Sequence, residues 1–179
     1  MHVLGCDPGL ANFGFAVVRI DAEGYYQLVE TGVWTTTKSK QKIRVAVDNL
    51  RRAQILAGCM DEMVKQYSPV AVLTEGMSFP QNSSAATKLA LSWGALAGLT
   101  ATYDLPVEQV SPQDIKKQLC GKRNASKLEV EETVKELAPP SIVLLNSVAK
   151  GKREHAVDAF AAVICSLDSE VVKMARKFA

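Results

Sequence analysis

The first 35 residues hold three runs rich in β-branched and aromatic side chains, and only turn-sized gaps separate them. Residues 2–6 are apolar and stop at Asp7-Pro8-Gly9, where proline followed by glycine turns the chain after a strand. Phe13 to Ile20 and Tyr25 to Trp34 are separated only by Asp21-Ala22-Glu23-Gly24, which reads as a tight antiparallel connection. The chain is therefore expected to open as a three-stranded meander, with Asp7 at the end of its first strand.

Beyond the meander the pattern alternates. From Gln41 to Tyr67, Ile43, Val47, Leu50, Ala57, Met60 and Val64 recur at helical spacing, predicting an amphipathic helix buried on that face. Pro69 to Thr74 is a short apolar run ending at Glu75-Gly76, a buried strand expected to lie parallel to the first with Glu75 at its exit. Ser83 to Tyr103 is a helical stretch rich in Ala, Gly and Ser, and Pro106 to Val110 is a brief fifth strand. Helices follow over 112–119 and 126–137, Pro139-Pro140 interrupts, and a last helix is expected over 154–168 after a loop over 141–153. The order implies an α/β domain spanning 1–170, a mixed five-stranded sheet flanked by helices on both faces in an RNase H-like arrangement. Residues 171–179 are expected to form a basic C-terminal tail.

Bulk properties exclude more than they select. A chain of 179 residues with 47% hydrophobic and 22% charged residues is neither disordered nor repetitive, and it is long enough for one well-buried core. Net charge is only +2, so a nucleic-acid partner has to be argued from local clusters. Cys6, Cys59, Cys120 and Cys165 are far apart, with no C-x-x-C pair, which points away from zinc or a disulfide framework and toward a reducing cytoplasm. The first residues lack a signal-peptide pattern and no apolar run reaches membrane-spanning length, so a soluble protein with no membrane partner is expected.

Three carboxylates occupy positions that a sheet can bring together. Asp7 and Glu75 end the first and fourth strands, whose exits share one edge if the strands are parallel neighbours, and Asp158 lies on the last helix. His155 and Asp158, at i and i+3, project from one face of that helix. Glu154, at i and i+4 from Asp158, is a rival ligand on geometry alone. Acids crowded into a crevice repel one another unless a cation neutralises them, and an oxygen-rich set suits Mg²⁺. With two ions about 4 Å apart, such a site hydrolyses phosphodiesters with no covalent nucleophile.

At these residues the chain resembles the RuvC family of Holliday junction resolvases. Gly5-Cys6-Asp7-Pro8-Gly9 with Gly14-Phe15-Ala16 is similar to the family's opening motif, and Thr74-Glu75, Lys88-Leu89 and Gly94 to its second acidic segment. His155-Ala156-Val157-Asp158-Ala159 resembles its closing motif, and the likeness runs from Val3 to Leu167. The resemblance implies a homodimer that nicks opposed strands of a four-way DNA junction symmetrically, with Asp7, Glu75, His155 and Asp158 as metal ligands. It implies functional lysines at Lys116 and Lys127, from Ile115-Lys116-Lys117 and Ser126-Lys127-Leu128. Lys117, Lys122 and Arg123 join them as expected DNA contacts, with Lys150, Lys152 and Arg153 as a second basic group. The imidazole of His155 is softer than a carboxylate, which favours Mn²⁺ beside Mg²⁺. Where many relatives place an aromatic residue three positions after the Glu, this chain has Ser78, and Phe79 follows one later as the candidate junction wedge.

Alternatives within nucleases are a broader branched-DNA enzyme or an RNase H acting on RNA–DNA hybrids; outside them, a catalytically silent junction-binding protein. An actin-like or sugar-kinase ATPase also opens on strand, Asp and Gly, but it needs a Thr or Ser after the Gly and a second large lobe. Neither is present, so no nucleotide cofactor is expected.

Overall fold

A computed structural model describes residues 1–78 and 80–178, with the backbone alone for Phe178. Its five strands are β1 (His2–Asp7), β2 (Asn12–Ile20), β3 (Tyr26–Thr35), β4 (Val72–Glu75) and β5 (Val107–Val110). They form one mixed sheet in the order β3-β2-β1-β4-β5. β1, β2 and β3 pair antiparallel, as the short turns require, whereas β4 lies parallel to both β1 and β5. Gly24, at φ +94°, makes the β2–β3 turn.

Helices cover both faces. α1 (Val45–Tyr67) and α2 (Ser83–Thr102) pack on Leu4, Cys6, Phe13, Phe15, Val17 and Val72. Before the C-terminal segment, four more α-helices pack on the opposite face, around Val3, Ala16, Val18 and Leu73. They are α3 (Pro112–Cys120), α4 (Lys127–Leu137), α5 (Ile142–Ser147) and α6 (Arg153–Ser166). Local chemistry sets the ends of α3 and α4. The Ser111 hydroxyl accepts from Asp114 N ahead of Pro112, Gly121 closes α3 at φ +74°, and Ser126 with Glu129 makes a reciprocal capping box at α4.

Three expectations change. The long first helix starts at Val45 rather than Gln41, and its inward face is not the apolar stripe alone. Met60 and Val64 are buried, but Val47 and Leu50 are more than half exposed while Asp48, Asn49 and Arg52 are buried. Hydrogen bonds set this rotation: Asp48 accepts from Ser39 N, and Arg52 donates to the buried Thr36 hydroxyl. Burying Asp48 and Arg52 is tolerable because both are partnered. Second, the loop over 141–153 contains α5, which drops Leu145 into the core. Third, the expected tail is a helix, α7 (Glu170–Phe178), because Val172 finds a fully buried site. Among the described residues, no helix is long and apolar enough to cross a membrane.

Candidate active site

Alternation along the strands decides which face the acids occupy. Cys6 and Val72 pack on the α1 side and Leu73 on the α6 side, so Asp7 and Glu75, one and two residues on, both turn toward α6. α6 comes unusually close because the sheet has no side chains in its way. A Cβ on Gly14, the register partner of Asp7, would lie 2.0 Å from the carbonyl oxygen of His155. One on Gly5 would lie 2.4 Å from that of Ala159. Two glycines of the opening motif thus bring the first turns of α6 against the strand that ends at Asp7.

The result is a cavity of about 250 Å³ lined by Asp7, Glu75, Lys116, Lys127, His155 and Asp158, with Pro112, Ile115 and Val130 as its apolar wall. His155 Nδ1 lies 2.7 Å from Asp7 Oδ2. Lys127 Nζ sits 2.9 Å from Glu154 Oε2 and 3.9 Å from Asp158 Oδ2. Burial first, and then the charges of Asp158 and Asp7, push Glu75 up to about 7 against the opposing pull of Lys127 and Lys116. Asp158 is likewise pushed up to about 6, by burial and then by Asp7. The hydrogen bond to Asp7 raises His155 despite its partial burial. Burial works against the charge on Lys127, but Glu154 and Asp158 outweigh it and raise that group too.

All six residues expected to do chemistry therefore meet in one cleft. The rival, Glu154, is drawn to Lys127 at the rim. Lys117 is exposed outside the cavity lining, Lys122 is paired with Glu129 at 2.5 Å, and Arg123 stands 3.9 Å from Asp114. Arg153 is tied to Glu131 and to the carbonyls of Asn146 and Val148, a structural brace for the α5 loop. Ser78 and Lys88 line an adjoining hollow of about 370 Å³ that shares His155 with the cleft. Phe79 lies outside the described residues. Sequence reading missed the apolar wall, although Val130, one helical turn after Lys127, carried the signal.

Among the described residues, no three His, Cys, Asp or Glu side chains are gathered closely enough to hold an ion as they stand. Asp7 is engaged by His155 and Asp158 faces Lys127. The donor set is nonetheless chemically apt, since two carboxyls driven toward the neutral form by burial and mutual repulsion gain from a nearby cation.

An acid-lined edge on this sheet order is the mark of the RNase H-like nucleic-acid hydrolases, the class that fold and site together define. A family model described as crossover junction endodeoxyribonuclease RuvC matches residues 3–166, and the chain belongs to that family. The RuvC protein of Alkaliphilus metalliredigens is 25% identical over 169 residues, covering 94% of each chain. Thermus thermophilus RuvC, solved in complex with a Holliday junction substrate, superposes with a TM-score of 0.72 at 25% identity over 92% of each chain. The yeast mitochondrial Holliday junction resolvase shares the fold, with a TM-score of 0.64 at 15% identity over 98% of this chain and 83% of its own.

Proposed function

We propose that this protein resolves four-way DNA junctions by paired, symmetric nicking of opposed strands, as a homodimer. The observation that carries this is the single cleft in which Asp7, Glu75, His155 and Asp158 face Lys116 and Lys127. Asp7, Glu75 and Asp158, with His155 once its bond to Asp7 opens, would hold divalent ions, Mg²⁺ or Mn²⁺, two per site. Bound there, the ions would supply Lewis acidity toward the attacking water and the leaving oxygen. The chain's own groups bind and orient. Lys116 and Lys127 draw the scissile phosphate against the carboxylates and offset charge that develops on it. The wall of Pro112, Ile115 and Val130 keeps bulk water from one side of the cleft, which strengthens these interactions.

Support for the dimer comes from an apolar groove between α1 and α2, lined by Leu50, Ala53, Ala57, Leu91, Gly94 and Ala95. Leu50 and Val47 are exposed beside it, and small residues on α2 let another surface approach closely. Elution as a monomer at micromolar concentration would count against paired cutting.

Four-way junctions, flaps and RNA–DNA hybrids, each end-labelled and incubated with Mg²⁺ or Mn²⁺, test the substrate. Symmetric paired nicks confined to the four-way junction are expected. Equal cutting of flaps would favour the broader branched-DNA reading, and binding without any cut would favour a silent junction-binding protein.

A further inference from the structure

A second set of cations begins next to the turn that follows Asp7. Between β3 and α1 the chain places Lys38, Lys40, Lys42 and Arg44 within seven residues that include no acid. All four are exposed, and among the described residues none of them forms a salt bridge. Lys150 is likewise exposed, and neither it nor the half-buried Lys152 forms a salt bridge among the described residues; Lys152 Nζ donates to Thr35 Oγ1 at 2.9 Å where the segment leaves the sheet. By contrast, Lys122, Arg123 and Lys127 of the α3–α4 side all have acidic neighbours.

The segment is fixed in place by buried polar contacts. The buried Thr36 donates its N–H to Ala11 O and its hydroxyl to Leu10 O, in the turn that follows Asp7. α1 holds the next residues: Arg52 donates to Thr36 Oγ1 at 2.9 Å, Arg51 to Thr37 O at 2.8 Å, and Asp48 accepts from Ser39 N at 3.1 Å. A charged run left to solvent needs no such anchoring, whereas one that must stand in a set position beside the cleft does. Lys152, the residue that precedes α6 and stands three before His155, reaches Thr35, while Thr36 is tied to the turn after Asp7, so both parts of the set meet at the sheet edge where Asp7 ends.

We propose that Lys38, Lys40, Lys42 and Arg44, continued by Lys150 and Lys152, form a strip that follows the phosphate backbone of a duplex arm of the bound junction. The inference rests on the junction-cleaving reading of the cleft and extends its DNA surface to the α1 face. Duplex DNA fits better than an acidic protein because the strip starts at the turn after Asp7, whose carboxylate lines the cleft read as cutting phosphodiesters, and because the molecule's net charge of +2 offers no general attraction to anions.

The test is junction binding by fluorescence anisotropy, without divalent metal, across about 50 to 200 mM salt. It compares wild type with the triple variant Lys38→Gln, Lys40→Gln, Lys42→Gln. Each lost phosphate contact should lower the slope of log affinity against log salt by about 0.9, so a drop of about 2 to 3 is expected, with affinity at least about tenfold weaker near 0.1 M salt. The charge-keeping triple Lys→Arg variant should restore both. An unchanged slope and affinity in the Gln variant overturn the strip, as does a loss that Arg does not restore. Normal DNA binding by the Gln variant, combined with loss of binding to an acidic protein partner, would also overturn it. Failure of the wild type to bind the junction sinks instead the reading on which the strip rests.

Discussion

Gly14→Ala tests how the fold builds the cleft. The new methyl would sit 2.0 Å from the His155 carbonyl oxygen and 3.1 Å from its Cβ, and ordinary contact begins at 3.4 Å. Both flanking groups belong to regular elements, so α6 must retreat from the sheet by roughly 1.4 Å for normal contact to return. Overfilling a packed interface of this kind costs about 1–3 kcal/mol, which for a chain of this size lowers Tm by about 2–12 °C. The functional effect should be larger than the thermodynamic one. His155 and Asp158 ride on α6 while Asp7 and Glu75 stay with the sheet, and a misplacement of about 1 Å at a reacting centre costs about 10²-fold in rate. Single-turnover cleavage of a four-way junction at 25 °C, with junction binding and a thermal melt on the same sample, separates these effects. The expected result is a folded variant that binds DNA and cuts about 10²-fold more slowly. Gly58→Ala, where nothing lies within 4 Å, should keep the wild-type rate. A Gly14→Ala variant with wild-type rate and melt would refute the claim that the glycine sets the spacing.

Further predictions concern the charges. Glu75 and Asp158 have raised values in the fold, about 7 and about 6, so the native state holds protons that the unfolded chain has already released. Their contribution therefore favours the fold below their unfolded values and is lost as pH rises through about 6 and then about 7. Mg²⁺, which needs the deprotonated carboxylates, should raise Tm more at pH 8 than at pH 5.5, and a pH-independent increment would contradict this. Glu154→Gln should free Lys127 from the rim and slow cleavage by up to about fivefold, the reach of a half-exposed ion pair. In a double-mutant cycle with Lys127→Ala the two effects should be less than additive, and full additivity would mean that the pair does not act together.

Much of this was readable in the chain because it depends on short-range patterns. Turn-sized gaps fixed the antiparallel meander, and carboxylates straight after apolar strands marked one sheet edge. What stayed hidden depends on partners distant in sequence. Arg52 is buried only because Thr36 waits for it sixteen residues away, and no periodicity of α1 encodes that. The segment after Asp168 looks like a basic tail in composition, yet one apolar residue, Val172, finds a fully buried place and carries the helix with it. Glu154 and His155 were rival candidates on helix geometry, the resemblance chose His155, and the fold pairs Glu154 with Lys127 of α4. Lys38, Lys40, Lys42 and Arg44 went unread because the order of their segment comes from contacts to α1 and to the turn after Asp7.

Asp7→Asn tests the account most directly. The substitution keeps the size of the side chain and removes one of the carboxylates proposed to hold the ions, while Lys116, Lys127 and the basic strip remain. Junction affinity and cleavage should be measured on the same preparation, the first without divalent metal and the second in Mg²⁺ and in Mn²⁺. The account predicts affinity within about twofold of wild type, or tighter because a negative charge has been removed from a site for phosphate. It also predicts cleavage lost with either ion. Undiminished, symmetric cutting by the variant would contradict the carboxylate-centred mechanism.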